Sequence, residues 1–193
     1  MKIGSENIIS LDTHSDIELY HLLRESKEIS ERAFGELYCR YSPRVYAYCR
    51  RFLGDRVEAE DVFQDVFEKF YQSAFSQREM TNVPGFLLKI ARNLCLNWKK
   101  RFKYSVDFDD NMLVKYDTRN ENNELLDLIK MSLDLLSDDL REMFILREYE
   151  GLSYIEICDV SGLPMATVKI RIFRAKQKIR EILAPYLADL EKN

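Results

Sequence analysis

The sequence predicts an all-α protein of two small helical domains joined by an acidic linker, and three observations carry that prediction. Gly and Pro are scarce, six and four in 193 residues, which leaves little material for tight turns and short strands. Apolar residues recur at three- and four-residue steps along most of the chain, the period of a helix face. One charged, Asp- and Asn-rich stretch, 105–123, breaks that period and reads as a linker between domains.

Residues 1–15 show no period and are expected to form a flexible N-terminal arm. Ser15 followed three residues later by Glu18 is a capping-box pattern, and it opens a short helix over 16–24. A longer helix from about Ser30 carries Phe34, Leu37, Tyr38, Tyr41, Val45, Tyr48, Cys49 and Phe52 as an apolar stripe. Pro43 is expected to kink or briefly break it, and Gly54-Asp55 ends it. The next helix, 56–73, sets Ala59, Val62, Phe63, Val66, Phe67 and Phe70 against an acidic face. After a polar loop, Pro84 suits the first turn of a helix running to about Lys103, in which Phe86, Ile90, Leu94, Trp98 and Phe102 repeat every four residues.

These four helices make a first domain, 16–103, and residues 104–123 form the linker. The second domain, 124–187, begins with a helix marked by Leu125, Leu128, Ile129, Leu133, Leu135 and Leu136. A helix over 138–149 follows, ended by Gly151. Ser153 and Glu156 form a second capping box, opening a short helix to about Val160. A turn at 161–164 then leads into a basic helix from Met165 to about Leu183.

The net charge of −4 argues against a nucleic-acid binder only as an average. Along the chain the charge is sorted. Between 84 and 103 lie Lys89, Arg92, Lys99, Lys100, Arg101 and Lys103 with no acid, and 165–180 is likewise basic throughout. Asp55, Glu58, Glu60, Asp61, Asp65 and Glu68 face Arg56 alone in the stretch between 55 and 68.

Several classes are set aside. No apolar run approaches the ~20 residues a bilayer requires, and the first residues lack a signal-peptide core, so a cytoplasmic protein is expected. Cys39, Cys49, Cys95 and Cys158 show no metal or disulfide spacing, and His14 and His21 are remote from them; neither metal nor cofactor is expected. There is no nucleophile–base set and no phosphate loop, so the chain is not expected to be an enzyme.

Three constellations carry function. Residues 151–180 have the layout of a helix-turn-helix, with Val168, Ile172, Ala175 and Ile179 as the inner stripe of its second helix. Lys169, Arg171, Phe173, Arg174 and Lys176 face outward, a set of donors and one aromatic edge suited to a major groove. Ala166 and Thr167 occupy the first turn, where free backbone N–H groups can meet phosphate. The helix 84–103 presents Lys89, Arg92, Asn93, Asn97 and Lys100, cations and amides that suit a separated strand, while Phe86 and Trp98 are assigned to packing. Asp61, Gln64, Asp65 and Glu68 form an acidic patch that can dock a basic protein partner.

These blocks resemble the extracytoplasmic-function (ECF) sigma factors of the sigma-70 family. AEDVFQDVFEKFYQS at 59–73 looks like that family's polymerase-binding helix, and FLLKIARNLCLNWKKR at 86–101 like its promoter-melting helix. LSDDLREMFILREYEGLSYIEICDVSGLPMATVKIRIFRAKQKIRE at 136–181 looks like its terminal helix-turn-helix. The resemblance implies a transcription initiation factor that joins RNA polymerase core and selects promoters by their −10 and −35 elements. It assigns Asp61, Gln64 and Asp65, with Glu68 beside them, to the coiled coil of the largest polymerase subunit. Lys89, Arg92, Asn93, Asn97 and Lys100 fall to the −10 strand, and Thr167, Lys169, Arg171, Phe173 and Arg174 to the −35 element. It further implies contact with the polymerase flap, an anti-sigma factor as inhibitor, a linker threading the polymerase channels, and no stable homo-oligomer. Ile170 stands where the family often has a small polar residue, and Ala166 where it commonly has Gly. The alternative is a stand-alone dimeric helix-turn-helix regulator, which has no use for the helices over 56–73 and 84–103.

Overall fold

Both capping boxes form as the sequence predicts. The Ser15 backbone N–H donates to Glu18 Oε2 at 2.7 Å and the Glu18 N–H donates back to Ser15 Oγ at 3.3 Å. Ser153 and Glu156 repeat the arrangement at 2.7 and 3.2 Å. Each box satisfies N–H groups that a helix start otherwise leaves unpaired. The computed structural model describes residues 11–76, 79–106 and 124–190.

Those residues form eight α-helices. The first four are α1 (Asp16–Leu22), α2 (Lys27–Leu53), α3 (Arg56–Ser76) and α4 (Val83–Val106). They are followed by α5 (Glu124–Asp134), α6 (Asp138–Phe144), α7 (Tyr154–Ser161) and α8 (Met165–Leu190), with α6 running on into a π-helical turn, Ile145–Tyr149. Gly54, Gly151 and Gly162 adopt positive φ at 85°, 70° and 72°, the backbone that closes α2, the π-helical turn and α7. Asp55 Oδ1 and Asn82 Oδ1 accept from the N–H groups of Glu58 and Gly85 at 3.0 and 2.9 Å, capping α3 and α4.

The main core is one continuous apolar cluster that includes Leu37, Phe52, Val66, Leu87 and Leu88 together with Met143, Leu146, Ile157 and Val168. The helices expected to form a second domain therefore pack onto the first four through α2 and α4. A smaller cluster, Leu133, Leu136, Ala175 and Ile179, ties α5 and α8 together. The linker residues 107–123 lie outside the described residues.

Four local expectations differ from the structure. Pro43 neither breaks nor ends α2, which is helical throughout 27–53. Its ring lies on the exposed side of the helix, as does Cys39 one turn earlier, where water can reach the carbonyl that a proline leaves unpaired. In α4 the fully buried positions are Val83, Leu87, Leu88, Ala91 and Cys95, while Phe86, Ile90, Leu94 and Trp98 flank the last four half-buried. The helix is wedged between α2, α3 and α7, so its apolar arc is wider than one period-four row. Leu135, placed in the α5 stripe, is 60% exposed. Residues 11–15, read as part of a free arm, are held by Arg40, whose Nη1 and Nη2 donate to the carbonyls of His14 and Asp12 at 3.0 and 2.9 Å.

Candidate polymerase and nucleic-acid interfaces

Helix α3 buries Ala59, Val62, Val66, Phe67 and Phe70 and turns Asp61, Gln64, Asp65 and Glu68 together to solvent. The carboxylates of Asp61 and Asp65 sit one turn apart, and Glu68 Oε1 accepts from Gln72 Nε2 at 2.9 Å. Beneath them Phe63 packs edge-on against Phe67 and Tyr46, with centroids at 5.3 and 5.6 Å. Aromatic packing thus stiffens the floor of a single-sign patch.

Helix α4 presents Lys89, Asn93, Asn97 and Lys100 to solvent, as expected for a strand-binding face. Arg92, at the centre of that row, is different. Its Nε donates to Glu142 Oε1 at 2.5 Å and its Nη1 to Asn93 Oδ1 at 3.1 Å. Glu142 is only 1% exposed. Burial raises its carboxyl above the usual range despite the pull of Arg92, so desolvation outweighs the pairing here.

Helix α8 buries Val168, Ile172, Ala175 and Ile179 as its inner stripe. Lys169, Phe173 and Arg174 are exposed on the outside, Phe173 by 68%, and Ile170 beside them by 51%. Thr167 in the first turn is half-buried. Arg171, placed in the same set from sequence, instead pairs through Nη2 with Asp139 Oδ2 on α6 at 2.7 Å. Lys176 pairs with Glu148 at 2.8 Å. Ala166 is exposed, so nothing in the fold crowds a close approach at that end of the helix.

A further set of charges joins the two halves. Arg44 Nε donates to Glu150 Oε2 at 2.7 Å and its Nη2 donates to the Glu150 carbonyl at 2.9 Å. Arg51 approaches the same carboxylate at 4.0 Å and lies over the Tyr149 ring at 4.3 Å. Neither Glu150 nor Glu142 was singled out in the sequence. A signal existed for Arg141 and Glu142: each stands four residues before an apolar residue that is buried, Ile145 and Leu146, so both charges fall on an inner face. Among the described residues no cluster of three or more His, Cys, Asp or Glu side chains could hold a metal ion. No helix of the described residues is long and apolar enough to cross a membrane.

Comparison with known proteins places this geometry. The family model for Sigma-70 region 2 matches residues 37–103, and that for Sigma-70, region 4 matches 126–179. The RNA polymerase sigma-H factor of Pseudomonas aeruginosa is 31% identical over 174 residues, covering 82% of this chain and 90% of that one. ECF RNA polymerase sigma factor SigW of Bacillus subtilis is 28% identical, covering 83% and 94%. Among solved structures, the sigma factor RpoE in complex with the anti-sigma factor NepR from Bartonella quintana matches with a TM-score of 0.68 at 25% identity, over 78% of this chain and 96% of that one. CnrH in complex with the cytosolic domain of CnrY shares the fold, with a TM-score of 0.67 at 23% identity, over 88% and 97%.

Proposed function

The chain belongs to the sigma-70 family of RNA polymerase sigma factors, with regions 2 and 4 of that family, and we propose that it docks on the polymerase core through the acidic face of α3. It is a transcription initiation factor that directs RNA polymerase to promoters. In this reading Asp61, Gln64, Asp65 and Glu68 grip the coiled coil of the largest subunit, and the second half meets the flap. Lys89, Arg92, Asn93, Asn97 and Lys100 hold the separated −10 strand, where extruding a base costs a few kcal/mol that a fitted pocket must supply. Thr167, Lys169, Phe173 and Arg174 read the −35 element, with Arg171 available once it leaves Asp139. The work is done in the cytoplasm, without a cofactor and without chemistry of its own.

The observation that carries the docking assignment is the α3 face itself. Four polar residues picked from sequence share one exposed side, while every apolar neighbour in the same helix except Val57 and Phe75 is buried or half-buried. Asp61→Lys with Asp65→Lys, measured by fluorescence anisotropy against core polymerase, should weaken binding on the order of 100-fold, as loss of two close interfacial charge pairs implies. Unchanged binding, with the helical circular dichroism intact, overturns the assignment.

An anti-sigma factor is the further partner we infer, because the similar sigma factor RpoE was solved in complex with the anti-sigma factor NepR. A dimeric helix-turn-helix regulator, by contrast, would leave the matched region 2 without a task.

A further inference from the structure

Helix α8 carries an apolar ridge along the crown of its otherwise basic face. Val168, Ile172, Ala175 and Ile179 are buried and define its inner stripe, while Ala166, Ile170 and Phe173 stand in solvent, Ile170 by 51% and Phe173 by 68%. At about 100° per residue, Ile170 falls within about 10° of the point opposite that stripe, with Ala166 about 30° and Phe173 about 50° from it. Arg174 lies about 50° from the same point on the other side, and Lys169 about 90° away beyond Phe173.

An exposed apolar side chain standing alone needs no explanation, but Ile170 and Phe173 are neighbours at i and i+3 where the helix stands furthest from the core. The cations are displaced to the flanks, within reach of phosphates and guanine edges. The floor of a groove is left to side chains that neither donate nor accept. The apolar group that the bases present there is the 5-methyl of thymine, which pairs with apolar side chains. Over a G·C pair Ile170 would cover base donors and acceptors without bonding any, which is a cost.

We propose that Ile170 makes this chain select thymine in its −35 element by packing on the thymine 5-methyl group, with Phe173 taking a second methyl nearby. This rests on the reading of α8 as the −35 helix and adds which base chemistry its crown accepts. The two residues are about 4.5 Å apart along the helix axis, against about 3.4 Å per base pair, so the two thymines fall within two base-pair steps, on either strand. Ala166, small and exposed one turn earlier, lets that end of the helix approach until Ile170 meets the base edges.

The test uses holoenzyme assembled from the full chain and core polymerase, on promoters recovered by run-off transcription of genomic DNA. Each −35 thymine is replaced in turn by deoxyuridine, which differs only in lacking the 5-methyl group, and binding is read by fluorescence anisotropy. Deoxyuridine under Ile170 should weaken native holoenzyme about 4-fold, the worth of one buried methyl group. Ile170→Ser should bind thymine and deoxyuridine alike at that position. Ile170→Val, which keeps a branched apolar surface, should retain most of the discrimination. Phe173→Ala should abolish the effect at a second thymine and leave the first intact.

A −35 element without thymine on either strand overturns the proposal. So does equal binding of thymine and deoxyuridine at every −35 position, the result expected if the ridge serves a protein partner instead. A deoxyuridine loss that persists undiminished in Ile170→Ser overturns it as well, because the methyl is then read by another residue. Failure of the underlying reading shows elsewhere: native holoenzyme indifferent to replacement of the whole −35 element does not use α8 to read it, whatever the methyl group shows.

Discussion

Arg141, on α6, donates through Nη1 to the backbone carbonyl of Phe52, 89 positions earlier in the last turn of α2, at 3.1 Å. The same guanidinium donates through Nη2 to the Asp134 carbonyl at 2.7 Å. Helix C-termini leave carbonyls without intrahelical donors, and the partial negative charge there favours a cation. One arginine therefore closes two helix ends in different halves of the chain. Replacing it by Leu keeps apolar volume but leaves both carbonyls unpaired, with an expected loss of about 2–3 kcal/mol. The check is the urea midpoint of Arg141→Leu against native at constant m-value.

Acid should loosen α7 in a defined window. The Ser153 backbone N–H, and then its hydroxyl, hold the Glu156 carboxyl below the usual carboxylate range. A depressed folded value means that this group adds stability above its ordinary value near 4.5 and loses it as pH falls through the depressed one. Glu156→Gln should therefore flatten the acid limb of the stability curve below about pH 4.5. Ser153→Ala, which removes the cap oxygen, should cost about 1 kcal/mol at neutral pH. Both are read from urea midpoints collected across pH.

Tyr48 supplies a prediction of opposite sign. Its ring stacks on Phe52 with centroids at 6.1 Å, and its hydroxyl is buried with no hydrogen-bond partner among the described residues. Burial, with the Cys95 thiol next in effect, pushes that hydroxyl well above its ordinary value, so it stays protonated and demands a partner it lacks. Tyr48→Phe should leave stability unchanged or raise it by about 1 kcal/mol, since a buried polar atom without a bond is a cost. A clear loss in thermal unfolding would mean that the hydroxyl is bonded after all.

What was legible in the sequence was local. The Ser-x-x-Glu boxes, the apolar stripes of α3 and α8, and the sorted charge all act within a turn or two of helix. Those rules recovered the helices, the acidic face and the outer row of α8. What was not legible is longer in range. Arg92 and Glu142 are 50 residues apart and Arg44 and Glu150 106 apart, and no periodicity links them. The exposed-looking Arg171 is taken by Asp139 because α6 crosses α8 there, a crossing no local pattern encodes. The π-helical turn at Ile145–Tyr149 is similar in kind: it directly precedes Glu150, which pairs with Arg44, and its sequence is ordinary for an α-helix.

The crossing of α6 over α8 leads to a last prediction, which separates two arginines that look alike in sequence. Arg174 is exposed on the outer face of α8, free to make a two-pronged contact with guanine. Arg171 is half-buried and held by Asp139 at 2.7 Å. Arg174→Ala should weaken holoenzyme binding to its promoters by about 1–3 kcal/mol, and the loss should vanish when the −35 base it reads is changed. Arg171→Ala should cost less than Arg174→Ala, because part of its charge is already spent on Asp139. Asp139→Asn should then tighten promoter binding by releasing Arg171 to a phosphate, and should do so equally on all −35 sequences. The measurement is anisotropy of holoenzyme on promoters recovered by run-off transcription of genomic DNA, repeated with single −35 base changes. An equal loss for Arg174→Ala on every −35 sequence would reduce that arginine to a phosphate contact. A gain for Asp139→Asn confined to one base would make Arg171 a reader instead.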